Sequence, residues 1–157
     1  MAIVHMIHGF VGAGKTTYAR QLESETAALR LSHDEWMSRL YGDDPPADQF
    51  ADLYGRVAEQ IAQVWSECVK RDVSVILDSG FWKRGERDQV RETAHRLGAE
   101  VRLHALSCSD EIAWERVQQR NKSLGGSLFI NRNTFDLLKT RFEPLGPDEQ
   151  IWTKLEA

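Results

Sequence analysis

Residues 9–16 read Gly9-Phe10-Val11-Gly12-Ala13-Gly14-Lys15-Thr16, which fits G-x-x-x-x-G-K-[ST] at every fixed position. Each fixed residue type answers a physical need. Glycines let successive backbone N–H groups turn inward around phosphate oxygens without Cβ clashes. A helix starting after Gly14 aims the positive end of its dipole at the same anion. Lys15 then reaches the β- and γ-phosphates, and the Thr16 hydroxyl ligates Mg²⁺. The surroundings agree, since the apolar run Ile3 to Ile7 precedes the loop and Tyr18, Ala19 and Leu22 follow it on one helix face. The dinucleotide pattern G-x-G-x-x-G fails, because after Gly12 and Gly14 its third position falls on Thr17. The stretch predicts a nucleoside-triphosphate site made by Gly9, Gly12, Ala13, Gly14, Lys15, Thr16 and Thr17.

Outward from the loop, short apolar runs alternate with longer amphipathic ones. Strand candidates are Ile3 to Ile7, Ala28 to Leu31, Val73 to Asp78, Val101 to Leu106 and Ile151 to Thr153. The clearest helix runs from about Gln49 to Arg71, with Phe50, Leu53, Tyr54, Val57, Ile61, Val64, Trp65, Cys68 and Val69 stepping at three and four. Further helices start at Gly14, near Asp34, near Glu86, at Ser109 and near Thr134. This alternation predicts parallel strands joined by helical crossovers in an open α/β sheet. Gly125-Gly126 reads as a mobile loop.

Composition bounds the rest. The 157 residues hold 20 Lys+Arg and 24 Asp+Glu, a net charge of −4, with 41% hydrophobic residues. That fits one globular domain over residues 1–157. The acidic balance speaks against nucleic acid held mainly by charge. Cys68 and Cys108 stand far apart in no CxxC pair and read as ordinary buried thiols. The apolar start is too short for a signal peptide and no run reaches the 18 residues of a membrane span. A cytoplasmic protein is the expectation.

Other residues narrow the class of phosphate-loop protein. Asp78, ending the run Val75-Ile76-Leu77, sits where an acidic residue can hold the Mg²⁺ water shell beside Thr16, or is a plain strand-terminal Asp. Asn121-Lys122-Ser123-Leu124 lacks the Asp with which N-K-x-D reads guanine. Asp34 follows the weak second strand, and strand C-termini line the ligand crevice of such sheets. Its carboxylate can orient an acceptor hydroxyl toward the γ-phosphate, or simply suit the helix dipole beside a capping box of Ser32 and Glu35. Arg116 and Arg120, one helical turn apart, either neutralise the transferring phosphoryl group or form a solvated face with Glu111 and Glu115.

With Gly9 to Thr17, Leu31 to Trp36, Val75 to Asp78, the Arg116/Arg120 pair and Phe142-Glu143-Pro144 in hand, the chain resembles the small P-loop kinases of the AAA_33 group. Zeta toxins, chloramphenicol phosphotransferase, gluconate and shikimate kinases and the kinase domain of polynucleotide kinase are its relations. The resemblance covers most of the chain. It implies a three-layer α/β/α sandwich on a five-stranded parallel sheet of order 2-3-1-4-5, and a short LID over roughly Arg120 to Arg132. It also implies Asp34 as general base, Arg116 near the adenine and Arg120 near the phosphates. His33 and His8 depart from the group's usual residues, and either touches substrate or is a hydrogen-bonded structural histidine.

The acceptor side should come from the helices after Asp34 and Asp78. Arg39 and Arg84, with Arg87 and the aromatics Trp36, Phe81 and Trp82, would suit an acceptor with a flat part and an anionic group; otherwise the aromatics are core and the arginines surface. The resulting expectation is an ATP- and Mg²⁺-dependent phosphotransferase acting on a small-molecule hydroxyl, a monomer or weak dimer with no membrane partner. The alternatives are a polynucleotide 5′-hydroxyl kinase and a nucleotide-gated ATPase or regulatory module without an acceptor.

Overall fold

The computed structural model describes residues 1–123 and 128–157. Gly125-Gly126 lies outside them, as does the middle of the expected LID. Five strands, Ile3–His8 (β1), Leu29–Ser32 (β2), Val75–Gly80 (β3), Glu100–Ser107 (β4) and Thr153–Glu156 (β5), form one sheet of order β2-β3-β1-β4-β5. Every adjacent pair is parallel, as the resemblance implied. Among the described residues, six helices, Lys15–Glu25 (α1), His33–Tyr41 (α2), Phe50–Lys70 (α3), Arg84–Arg96 (α4), Asp110–Ser123 (α5) and Arg132–Arg141 (α6), connect them.

Alternation along the strands divides the core. Val4, Met6, Val75 and Leu77 face one layer, where Met37 of α2, Val57, Ile61, Trp65 and Val69 of α3 and Ala94 of α4 cover them. Ile7 and Ile76 face the other, under Ala19 of α1. The four buried α3 residues recur every fourth position, so one stripe of the helix enters the core. Burial of a side chain of that size stabilises by roughly 1.5–3 kcal/mol. Phe10 and Val11 of the glycine loop pack separately with Ala113 and Val117 of α5 and Phe135 of α6.

The carboxyl edge of the sheet carries a distortion. Met6 pairs with Leu77 but His8 with Gly80, so β3 carries one extra residue there. Gly80 and then Phe81 take positive φ, 79° and 53°, and the Gly80 carbonyl receives the Gly9 N–H at 3.1 Å. Such bulges re-aim side chains beside functional sites.

The last strand lies later than the apolar run Ile151 to Thr153 indicated. Ile151 and Trp152 are exposed, Trp152 lies under the Arg102 guanidinium at 4.0 Å and donates its backbone N–H to Leu103 O at 2.8 Å, and the register with β4 runs from Thr153.

Candidate functional site

The glycine loop is bound from behind through its carbonyls. Phe10 O accepts from Lys15 Nζ at 2.9 Å, Gly9 O from Trp82 Nε1 at 3.0 Å, and Gly12 O from Arg116 Nη1 at 3.0 Å and the Cys108 thiol at 3.6 Å. Gly14, at φ 93°, precedes α1 without a side-chain cap. The first-turn amides of α1 have no acceptor within the helix, so they are open to an anion. At Gly12, φ is 82° and a Cβ would lie 2.5 Å from the Ala113 carbonyl oxygen, so only glycine lets the loop pass α5.

Around it gather the charged groups the sequence singled out. Thr16 Oγ1 donates to Asp78 Oδ2 at 3.1 Å. Burial pushes the Lys15 ammonium below its ordinary value; Asp78 and Asp34 oppose the fall and Arg120 adds to it. Burial likewise raises the Asp78 carboxyl, with Lys15 opposing and Asp34 adding. Lys15, Asp34, Asp78 and Arg120 are therefore close enough to feel one another. The Arg120 Nε is buried without a hydrogen-bond partner among the described residues. Thr17 is exposed and Ala13 buried. Among the described residues no group of three His, Cys, Asp or Glu converges. A metal beside Thr16 and Asp78 would thus draw most ligands from phosphate oxygens and water, the habit of Mg²⁺.

Ser32 caps α2 by accepting from Glu35 N at 3.3 Å, but Glu35 does not complete the reciprocal box. Its carboxylate goes to Arg20 and Arg30 instead. Asp34 itself is exposed and makes no side-chain hydrogen bond or ion pair among the described residues. His33 is a structural histidine: buried, stacked on Tyr54 at 3.7 Å, with Nε2 3.1 Å from the Tyr54 carbonyl. His8 is buried against Phe142, and its Nε2 finds no partner among the described residues.

A cleft of about 470 Å³ opens between α3 and α4, lined among others by His33, Tyr54, Trp65, Ser79, Phe81 and Glu86. Burial raises the Tyr54 hydroxyl pKa, and the Asp34 and Glu86 carboxylates add to the rise. Arg39, in the last turn of α2, is exposed and does not line this cleft. Arg84 is held by Asp148 at 2.7 Å and Asp88 at 3.0 Å. Arg87 is neither acceptor wall nor helix surface: it is fully buried on Glu149 at 2.8 Å. Of the three aromatics expected on the acceptor side, only Phe81 lines the cleft; Trp82 braces the loop and Trp36 packs on the core.

Two features escaped the sequence reading. Arg30 of β2 spans Glu23, Glu35 and Asp78, the last at 3.8 Å, and an arginine inside a four-residue strand was the available signal. Beyond α5, Phe129 N donates to Asp43 O at 2.8 Å, while Asn121 brackets the Ile130 backbone at 2.6 and 3.0 Å. This segment reaches from α5 to the turn between α2 and α3, which sequence spacing does not reveal.

Among solved structures, a candidate kinase of Chloroflexus aurantiacus superposes with a TM-score of 0.78 at 13% identity, over 99% of this chain and 88% of its own. A sugar kinase of Janibacter sp. follows at 0.65 and 20% identity, over 100% and 85%. Chaetomium thermophilum Kti12 in complex with ADP-AlF3 gives 0.65 at 21% identity, over 98% and 88%. At these identities the likeness establishes the fold alone. No curated protein matches the sequence. The AAA_33 profile, described as an AAA domain, matches residues 4–145. With its glycine loop, Thr16–Asp78 pair and sheet order, the chain belongs to the AAA_33 family.

Proposed function

We propose that the protein is an ATP- and Mg²⁺-dependent phosphotransferase that moves the γ-phosphate to a hydroxyl of a small molecule. The observation that carries this reading is Asp34: a carboxylate without a partner among the described residues, close enough to Lys15 to act on its charge. A kinase must orient and deprotonate an acceptor hydroxyl, a task that an unpaired carboxylate beside the phosphate-loop lysine can perform. That Kti12, which superposes on this chain, is in complex with ADP-AlF3 is in keeping with a nucleotide ligand here.

In this reading the acceptor oxygen attacks the γ-phosphorus, its new O–P bond replaces the bond to the β–γ bridging oxygen, and ADP departs. The acceptor proton passes to the Asp34 carboxylate. Because the transition state is loose, positioning and charge neutralisation do most of the work. Lys15 and the amides of residues 12–16 hold the β- and γ-phosphates, and Arg120 neutralises the group in flight. Thr16 and Asp78 would hold Mg²⁺, which would supply positive charge to offset that of the phosphates. Arg116, bound to the Gly12 carbonyl, fixes the loop from the α5 side.

A polynucleotide acceptor is disfavoured. Its phosphates would need a basic groove, yet Arg84, Arg87 and Arg91 are committed to Asp88, Asp148 and Glu149. Among the described residues no helix is long and apolar enough to cross a membrane. The test is Asp34→Asn assayed with γ-labelled ATP and an acceptor panel. Nucleotide affinity should stay while transfer falls by about 10²-fold or more; transfer at the wild-type rate would refute the assignment.

A further inference from the structure

The cleft between α3 and α4 has a composition that says what it admits. Both helices lead away from the carboxyl edge, where α2 and β3 deliver Asp34 and Ser79. Each wall presents a glutamate and, about one turn further along its helix, a glutamine: Glu59 then Gln63 on α3, Glu86 then Gln89 on α4. Trp65, Phe81, Ile61 and Leu77 add apolar and aromatic lining beside Ser79 and Thr93. Neither Glu59 nor Glu86 is engaged in an ion pair among the described residues, whose pairs join other groups. Glu86 lies in the first turn of α4 and Glu59 in the middle of α3, and both are exposed.

Among the described residues, Arg96 in the last turn of α4 is the one Lys or Arg on the lining. The arginines that an anionic acceptor would need are elsewhere, in the ion pairs of Arg84, Arg87 and Arg91. A carboxylate or phosphate in this cleft would meet Glu59 and Glu86 on its lining, a like-charge arrangement that disfavours it.

We propose that this cleft takes a polyhydroxylated acceptor bearing an amine or no charge, and rejects anionic ones. The proposal rests on the phosphotransferase reading for its chemistry, but the binding preference stands on the cleft alone. Amide and carboxylate groups on both walls accept hydrogen bonds from hydroxyls and ammonium, while the aromatic lining covers the apolar face of a sugar-like ring. The volume of about 470 Å³ falls in the range of small-molecule sites.

Two measurements test it. The ADP-loaded protein is titrated calorimetrically with glucosamine, an aminoglycoside, glucose and xylitol, and in parallel with gluconate, glucose 6-phosphate and AMP. The expected result is binding by amine-bearing or neutral compounds, at least about tenfold tighter than by any anion. Ala62→Trp, at an exposed lining position of α3, should abolish that binding. Glu86→Gln should weaken the amine-bearing ligands by about five- to tenfold and the neutral ones less. Tighter binding by an anion overturns the proposal, as does an absence of binding by every compound. The same compounds are then tried as acceptors of label from γ-labelled ATP. Selective binding without transfer would defeat the phosphotransferase reading and leave the cleft's preference intact; transfer mainly to an anion would defeat the preference and leave the reading intact.

Discussion

The Thr16 hydroxyl donates to Asp78 Oδ2 across 3.1 Å, joining the first turn of α1 to the end of β3. Burial and the Asp34 charge lift the Asp78 carboxyl pKa, while Lys15, Thr16 and Arg30 draw it back. Asp78→Asn keeps the shape and an acceptor for Thr16 but removes the negative charge. The enhancement of ADP affinity by Mg²⁺ should then fall by about tenfold or more, while affinity in EDTA holds or rises because a phosphate repeller is gone. Calorimetry with and without Mg²⁺ checks this, and an unchanged enhancement would remove Asp78 from the metal site. Lys15→Ala should abolish turnover in the same assays.

Gly12→Ala should damage fold and site together. The residue sits at φ 82°, and the added Cβ would lie 2.5 Å from Ala113 O and 2.8 Å from Ala113 Cα, backbone atoms that cannot rotate away. Left-handed strain alone costs about 1–2 kcal/mol, and the clash adds to it. A fall in unfolding free energy of roughly 3 kcal/mol, read by urea denaturation, is expected. Gly55→Ala on α3 is the control: its Cβ meets nothing within 4 Å, so about 0.5–1 kcal/mol of stabilisation should follow. Equal effects at both positions would contradict this account of the loop.

What was legible in the sequence follows from range. The glycine loop and the α3 stripe are local patterns, and Phe50–Lys70 lies one residue inside each end of the expected helix. The strand order came by resemblance, not from any pattern in the strands. Arg87 was misread because its partner Glu149 lies 62 residues away and nothing local marks the pair. The last strand was displaced because Ile151 and Trp152 looked like core while belonging to an exposed edge. Asp34 could be located from spacing, but its lack of a partner depended on Glu35 turning to Arg20 and Arg30.

The Arg87–Glu149 pair gives a third prediction. Arg87 also donates to the carbonyls of Phe81, Glu143 and Pro144, so one guanidinium ties α4 to β3 and to the segment before β5. Burial pushes the Glu149 carboxyl up, but hydrogen bonds from Arg87, the Gly146 N–H and Arg91 outweigh it and hold the pKa at about 2. Glu149→Gln leaves a buried arginine without its counter-charge, and the cost should be about 3–5 kcal/mol. Arg87→Met with Glu149→Met should recover part of that loss, since the fully buried guanidinium is gone and Arg91, partly exposed, keeps Asp88. A double variant no more stable than Glu149→Gln would show that the carbonyl ties dominate.

Acid should unfold the protein earlier than its carboxylates alone would require, because of a buried imidazole chain. His5 Nδ1 lies 3.0 Å from His104 Nε2, and His104 Nδ1 lies 2.7 Å from the Tyr18 hydroxyl. Burial first, then Arg102, pushes His5 down to about 4; burial, then His5 and Arg102, does the same to His104. His8 is also held at about 4, by burial and Arg87. With folded-state pKa values below the unfolded 6.5, the unfolded chain binds more protons between about pH 6.5 and 4, so stability falls as pH drops through that window. Each fully effective site adds a slope of about 1.4 kcal/mol per pH unit there. Glu149 adds a further loss in the same direction, from about pH 4.5 down to 2. Urea midpoints should therefore be nearly flat from pH 8 to 7 and decline steeply from 6 to 4.5. His5→Leu should flatten the decline by about one proton's worth; an unaltered slope in that variant would mean that His5 is already protonated in the folded state.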